Sequence, residues 1–163
     1  MTISRMIKLS EKAERHLALH FGNSNSAGSV FFTEVFANPS ELLDYVNTCE
    51  PSETIVQAGN REALIFHMAE PVGNAGIIQR SHVGLEDIVL ESRNGFQVEV
   101  ALLNQLEVTC EFCVIVERST EGVSIITAFP GGYSLPFPYE GQDNLEFEKS
   151  TLYWQEYVLC RKK

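Results

Sequence analysis

From Ala75 onward, apolar runs alternate with short polar breaks. Ile77–Val83, Asp87–Ser92, Phe96–Leu103, Val108–Glu117 and Val123–Phe129 are rich in β-branched and aromatic residues, the pattern of successive strands. Gln97-Val98-Glu99-Val100 alternates strictly, which predicts a strand with one wet face. Arg93-Asn94-Gly95 joins two of these runs, and Asn-Gly is a strong hairpin signal because both residues tolerate positive φ. Arg118-Ser119-Thr120-Glu121-Gly122 is a second polar turn, between the last two runs.

The amino-terminal half has a helical rhythm. Ser10 suits the N-cap of a helix over Glu11–His20, with Ala13, Leu17 and Phe21 on one face and Gly22 just past its end. Asn23–Ser29 is a polar loop of small residues, and Val30–Phe36 a short apolar and aromatic run of strand character. Asn38 can cap a second helix whose first turn accepts Pro39, continuing to about Thr48. Thr54–Gln57 and Ala63–Met68 suit either strands or a buried helical turn.

Pro136–Glu148 is acidic and rich in Pro and Gly, and reads as a surface loop. Ser150–Cys160 carries Tyr153, Trp154 and Tyr157. Strand and short helix both fit it, and its β-prone residues favour strand. Helices first and a meander afterwards predict an α+β fold, with N-terminal helices packed on an antiparallel β-meander sheet. With no repeat, low-complexity tract or composition break, residues 1–163 read as a single domain.

Charge adds a constraint. The formal net charge is −10, which repels nucleic acid unless basic residues gather on one face, and attracts a cationic partner. The opening MTISRMIKLSEKAERHLALHF has charges throughout and no continuous apolar core, unlike a signal peptide. No run approaches the roughly 18–20 apolar residues of a membrane helix. A cytoplasmic protein with reduced cysteines and no membrane partner is expected.

His16 and His20 stand one helical turn apart, but Leu-Ala-Leu between them lacks the glutamate of a metalloprotease motif. Two histidines bordering an amphipathic helix is the plainer reading. Cys110 and Cys113 match C-x-x-C by letter, yet within a strand they point to opposite faces and suit neither zinc nor a redox disulfide. Adding Cys49 and Cys160 matches no zinc spacing, so no metal and no cofactor is expected. Gly22 and Gly28 make no phosphate loop, and Gly73, Gly76 and Gly84 lack the strand–turn–helix setting of a dinucleotide site.

Arg80-Ser81-His82 ends a β-prone run upstream of Glu117, Arg118 and Thr127. RNA cleavage by internal 2′-hydroxyl attack needs a base near neutral pKa, a cation or donor for the phosphate, and an acid for the leaving oxygen. Histidine, arginine and glutamate supply these functions, and Thr or Tyr hydroxyls can orient the phosphate. A satisfied strand-end histidine is the plainer role for His82.

Ile125-Ile126-Thr127-Ala128-Phe129-Pro130, following a hairpin, resembles the last strand of the barnase–EndoU–colicin–RelE group of small RNases. The resemblance covers roughly residues 75–131. It implies a metal-independent endoribonuclease of a bacterial or phage toxin type, with its site on the open face of the sheet. In that reading His82 is the acid/base, Thr127 orients the phosphate, and Glu117 and Arg118 are auxiliary charges. Arg80 and Arg93 would gather near His82 to bind RNA, with Tyr133 at the rim.

The acidic balance points to an alternative: a non-catalytic immunity protein or antitoxin that binds and inhibits a basic toxin. Net charge and the acidic stretch Glu140–Glu148 favour it. The partner is RNA in the first reading and a basic protein in the second.

Overall fold

A computed structural model of the chain describes residues 6–21, 30–57, 59–93, 96–135, 137–138 and 140–163. Its elements begin with β1 (Ile7–Lys8), α1 (Glu11–Ala18), β2 (Val30–Phe31), α2 (Pro39–Thr48), β3 (Glu53–Val56) and β4 (Arg61–His67). They continue through β5 (Gly73–Asn74), β6 (Ile77–Gln79), β7 (Ile88–Arg93), β8 (Phe96–Leu103) and β9 (Val108–Thr109). β10 (Glu111–Ser119), β11 (Gly122–Pro130), α3 (Asn144–Glu156) and β12 (Tyr157–Lys162) complete them. The fold is α+β, with mostly antiparallel pairing.

The two amino-terminal helices start where their caps predict. Ser10 Oγ accepts from the Ala13 N–H at 3.1 Å, and Asn38 Oδ1 accepts from the Glu41 N–H at 3.1 Å. Leu17 of α1 and Leu42 and Val46 of α2 are fully buried against one face of a five-stranded sheet ordered β1-β11-β10-β4-β3. That face supplies Leu64, Phe66, Phe112, Val114, Val116, Ile125 and Ala128. Phe66 and Phe112 stack at 5.0 Å, with Phe31, Phe36 and Tyr45 set around Phe112. Each buried ring contributes about 1.5–3 kcal/mol. Asn47 holds the edge strand β1 by a reciprocal pair: the Ile7 N–H donates to Oδ1 (2.9 Å), and Nδ2 donates to the Ile7 carbonyl (3.1 Å).

Several expectations need correction. The strands do not form one meander. β8 belongs to a separate four-stranded sheet, β6-β12-β8-β7, and β2-β5-β9 form a third. Two pairings, β1–β11 and β12–β8, are parallel. The carboxy-terminal β12 inserts between β6 and β8, and only the tertiary fold brings that distant segment there.

The helices are not all amino-terminal, since Asn144–Glu156, read as loop and strand, is α3. Asp143 caps it, accepting from the Glu146 N–H at 3.4 Å. Leu, Glu, Lys and Gln dominate its turns, and packing of Tyr153 and Trp154 overrides their β preference.

The run Ile77–Val83 is a strand only to Gln79, and Arg80–His82 is a 3-10 turn. Val108–Glu117 is split at Cys110 into β9 and β10. Gly22, the Asn23–Ser29 loop and the Asn94-Gly95 turn lie outside the described residues. Among those residues, no helix is long and apolar enough to cross a membrane.

Candidate functional site

The opposite face of the five-stranded sheet carries Ala63, Ile65, Cys113 and Ile115, all buried, with Ile126, Phe129 and Tyr133 packed on them. After β11 the chain turns at Gly131, whose φ of 112° disfavours any side chain. Tyr133 then packs on this face. The Gln57 amide donates to the Tyr133 hydroxyl at 3.0 Å, and the Trp154 Nε1–H donates to the Leu135 carbonyl at 3.1 Å. Phe137 stacks on Trp154 at 4.2 Å. The strap from Gly131 to Leu135 is thereby pinned to the sheet through Tyr133 and to α3 through Leu135.

Arg80 holds the other side. Its Nη2 and Nε donate to the carbonyls of Trp154 (3.0 Å) and Gln155 (3.2 Å), and Nη1 pairs with Glu99. A cation on the last carbonyls of a helix satisfies acceptors that have no partner within it and opposes the helix dipole.

Between strap, α3 and the β6–β12 edge opens a cleft of about 880 Å³. Phe129, Tyr133, Phe137, Tyr153, Trp154 and Tyr157 line it, with His20, His82, Gln79, Ser134 and Glu107 as polar lining. Tyr153 stacks on Tyr157 at 4.6 Å and meets Trp154 edge-on at 5.0 Å. Among the described residues no Lys or Arg lines the cleft.

Burial pushes the Tyr153 phenol well above its ordinary range, with Tyr157, Tyr133 and Glu156 adding to the shift. Burial first, and Glu107 second, push the Cys160 thiol up to about 11. Cys160 also donates from sulfur to the Ala75 carbonyl at 3.4 Å, which marks a buried packing thiol.

The residues expected to cleave RNA are divided. His82 and Tyr133 line the cleft. Thr127 pairs with Ile115 two residues before Phe129, on the face that Tyr133 covers. Arg118 and Glu117 sit at the other end of the β10–β11 hairpin. Arg118 pairs in register with Val123, six residues from Phe129, or roughly 20 Å along the strand. Its guanidinium grips Glu62 in two hydrogen bonds (2.7 and 3.3 Å), and Glu117 pairs with Arg61 at 3.2 Å. Arg80 lies next to the cleft as the clasp on α3. The Arg93 backbone ends β7, and its side chain lies outside the described set.

Sequence reasoning passed over the cleft's main wall, although a signal existed. Tyr153 and Tyr157 are spaced i, i+4, so a helix reading stacks them. His20 lines the cleft, while His16 is exposed on α1. Among the described residues no cluster of three or more His, Cys, Asp or Glu could hold a metal ion.

No family model and no curated protein matches the chain. Among solved structures, a conserved hypothetical protein from Toxoplasma gondii ME49 is similar at 15% identity and a TM-score of 0.49. That match covers 85% of this chain and 90% of the other.

Proposed function

We propose that this chain is a non-catalytic binding protein whose cleft takes a small organic ligand with a flat ring. One observation carries the reading: a cleft of about 880 Å³ walled by six aromatic side chains. That size lies within the roughly 300–1,000 Å³ of small-molecule sites, and such sites are mostly apolar with a few placed polar groups. Tyr157, Trp154 and Phe129 supply rings for an aromatic ligand, and His82, Gln79 and Ser134 supply polar groups.

The RNA-cleaving reading has less support. Internal 2′-hydroxyl attack needs a cation or donors at the phosphate, and the arginines expected there are engaged elsewhere. Arg80 holds α3 and Glu99, and Arg118 holds Glu62.

One observation favours a basic protein as a second kind of partner. Leu145 and Leu152 are more than half exposed on the outer side of α3, on a helix that also carries Glu148 and Glu156.

The test is a fluorescence titration of Trp154, the sole tryptophan, with a panel of small aromatic compounds, beside incubation with total RNA in EDTA. Saturable binding without RNA cleavage is the expected result. Cleavage by the wild type that His82→Ala abolishes would restore the nuclease and remove the binding reading.

A further inference from the structure

The cleft's lining is one-sided in charge. Glu107 is the lone carboxylate among its described lining residues, and none of them is Lys or Arg. Glu107 lies beside β6, with its backbone carbonyl accepting from the Ala75 N–H at 2.9 Å. Its negative charge is also the second cause, after burial, of the raised Cys160 thiol.

The walls bias charge in the same direction. Tyr153 lies on Tyr157 with ring planes 22° apart, and Phe137 lies on Trp154 with planes 20° apart. All four rings line the cleft, and the face of an aromatic ring is its negative side. The whole chain carries −10, and low-dielectric walls focus such a field into a cleft. An anion entering here would meet only His20 and His82 as candidate cationic groups, and would be opposed by Glu107 and by the ring faces.

Resting on the binding reading above, we propose that the cleft selects an aromatic amine: a flat ring that stacks on the Tyr157 and Trp154 walls, joined to an ammonium group that meets Glu107. Carboxylate and phosphate analogues of the same ring are rejected. Contact of an ammonium with ring faces and a carboxylate favours it over a neutral group by about tenfold in affinity.

Three probes that share a phenyl ring and differ in head group test this: 2-phenylethylamine, 2-phenylethanol and 3-phenylpropanoate. Each is titrated calorimetrically into the full chain at low salt, with Trp154 fluorescence as a second readout. The expected order is ammonium, then alcohol, then carboxylate. In Glu107→Gln the ammonium advantage over the alcohol should fall to about threefold or less. Equal binding of ammonium and alcohol overturns the charge selection and leaves the binding reading standing. Preferred binding of the carboxylate also overturns the selection. Binding of none of the three overturns both.

Discussion

Arg80 and Trp154 are joined by a hydrogen bond from the Arg80 Nη2 to the Trp154 backbone carbonyl at 3.0 Å, while the Trp154 indole N–H is given to Leu135. The side of Trp154 thus holds the strap and its backbone is held by the 3-10 turn that carries His82. One residue ties together two walls of the cleft.

Arg80→Met should therefore lower stability by about 1–3 kcal/mol, the usual cost of losing hydrogen bonds to a charged donor. The partly exposed Glu99 pair adds little to this, because solvent screens it. Urea unfolding followed at Trp154 measures the loss. Arg80→Lys should recover less than half, since an ammonium cannot span three acceptors as a planar guanidinium does. A midpoint in Arg80→Met unchanged from wild type would show that α3 is held by packing alone.

Gly73 on β5 tolerates no side chain. A Cβ there would press on the Val30 carbonyl and stand 2.7 Å from the Pro130 Cγ. Gly73→Ala should cost about 1–3 kcal/mol, as overpacking does. The melting temperature should drop by several degrees, while Gly59→Ala meets no atom within 4 Å and tests only the cost of positive φ.

Stability should fall in alkali. Burial pushes the Cys113 thiol up to about 12 and, with Glu107, the Cys160 thiol up to about 11, from an ordinary 9.0. Between pH 9 and 11 the unfolded chain loses protons that the folded chain keeps, so unfolding is favoured as pH rises. The full contribution is present below about pH 9, and each thiol gives a slope of up to about 1.4 kcal/mol per pH unit above it. Urea midpoints measured from neutral pH to about pH 11 should show this decline, and Cys113→Ala should flatten it. Of the four cysteines, Cys49 and Cys110 should react with a thiol reagent in the folded state, and Cys113 and Cys160 only on unfolding.

Arg118→Ala and Glu117→Gln should leave ligand affinity unchanged, because their ion pairs lie at the far end of the hairpin from the cleft. Exposed pairs of this kind are worth about 0–1 kcal/mol, so thermal melts should move little as well. Tyr157→Ala, by contrast, should weaken binding several-fold, since it removes a stacking wall. An affinity that tracked Arg118 rather than Tyr157 would move the site to the other end of the sheet.

Much of the local structure was legible. Ser10 and Asn38-Pro39 announce α1 and α2 because a cap is a short-range hydrogen bond between near neighbours. Arg118–Gly122 announces the β10–β11 hairpin, and Gly122 supplies the positive φ of 123° at its turn. The α3 segment reads as loop and strand because Tyr153, Trp154 and Tyr157 carry β preference outside a fold, while Asp143 at its cap is one acidic residue in an acidic stretch. His82 lines the cleft, while Arg118, expected beside it, is bonded to Glu62. Nothing in sequence spacing decides which carboxylate an arginine meets across a sheet.

By itself, then, the sequence determined the first two helices, the strand character of the runs from Ile77 to Phe129, the β10–β11 hairpin and the acidic charge, since these depend on residues a few positions apart and on composition. Only the tertiary structure decided which strands share a sheet, that β12 runs parallel to β8, and that His20, Glu107, Phe129 and Trp154 line one cleft. Those placements depend on contacts between segments tens of residues apart, whose register is set by burial of opposing faces and carries no local signature.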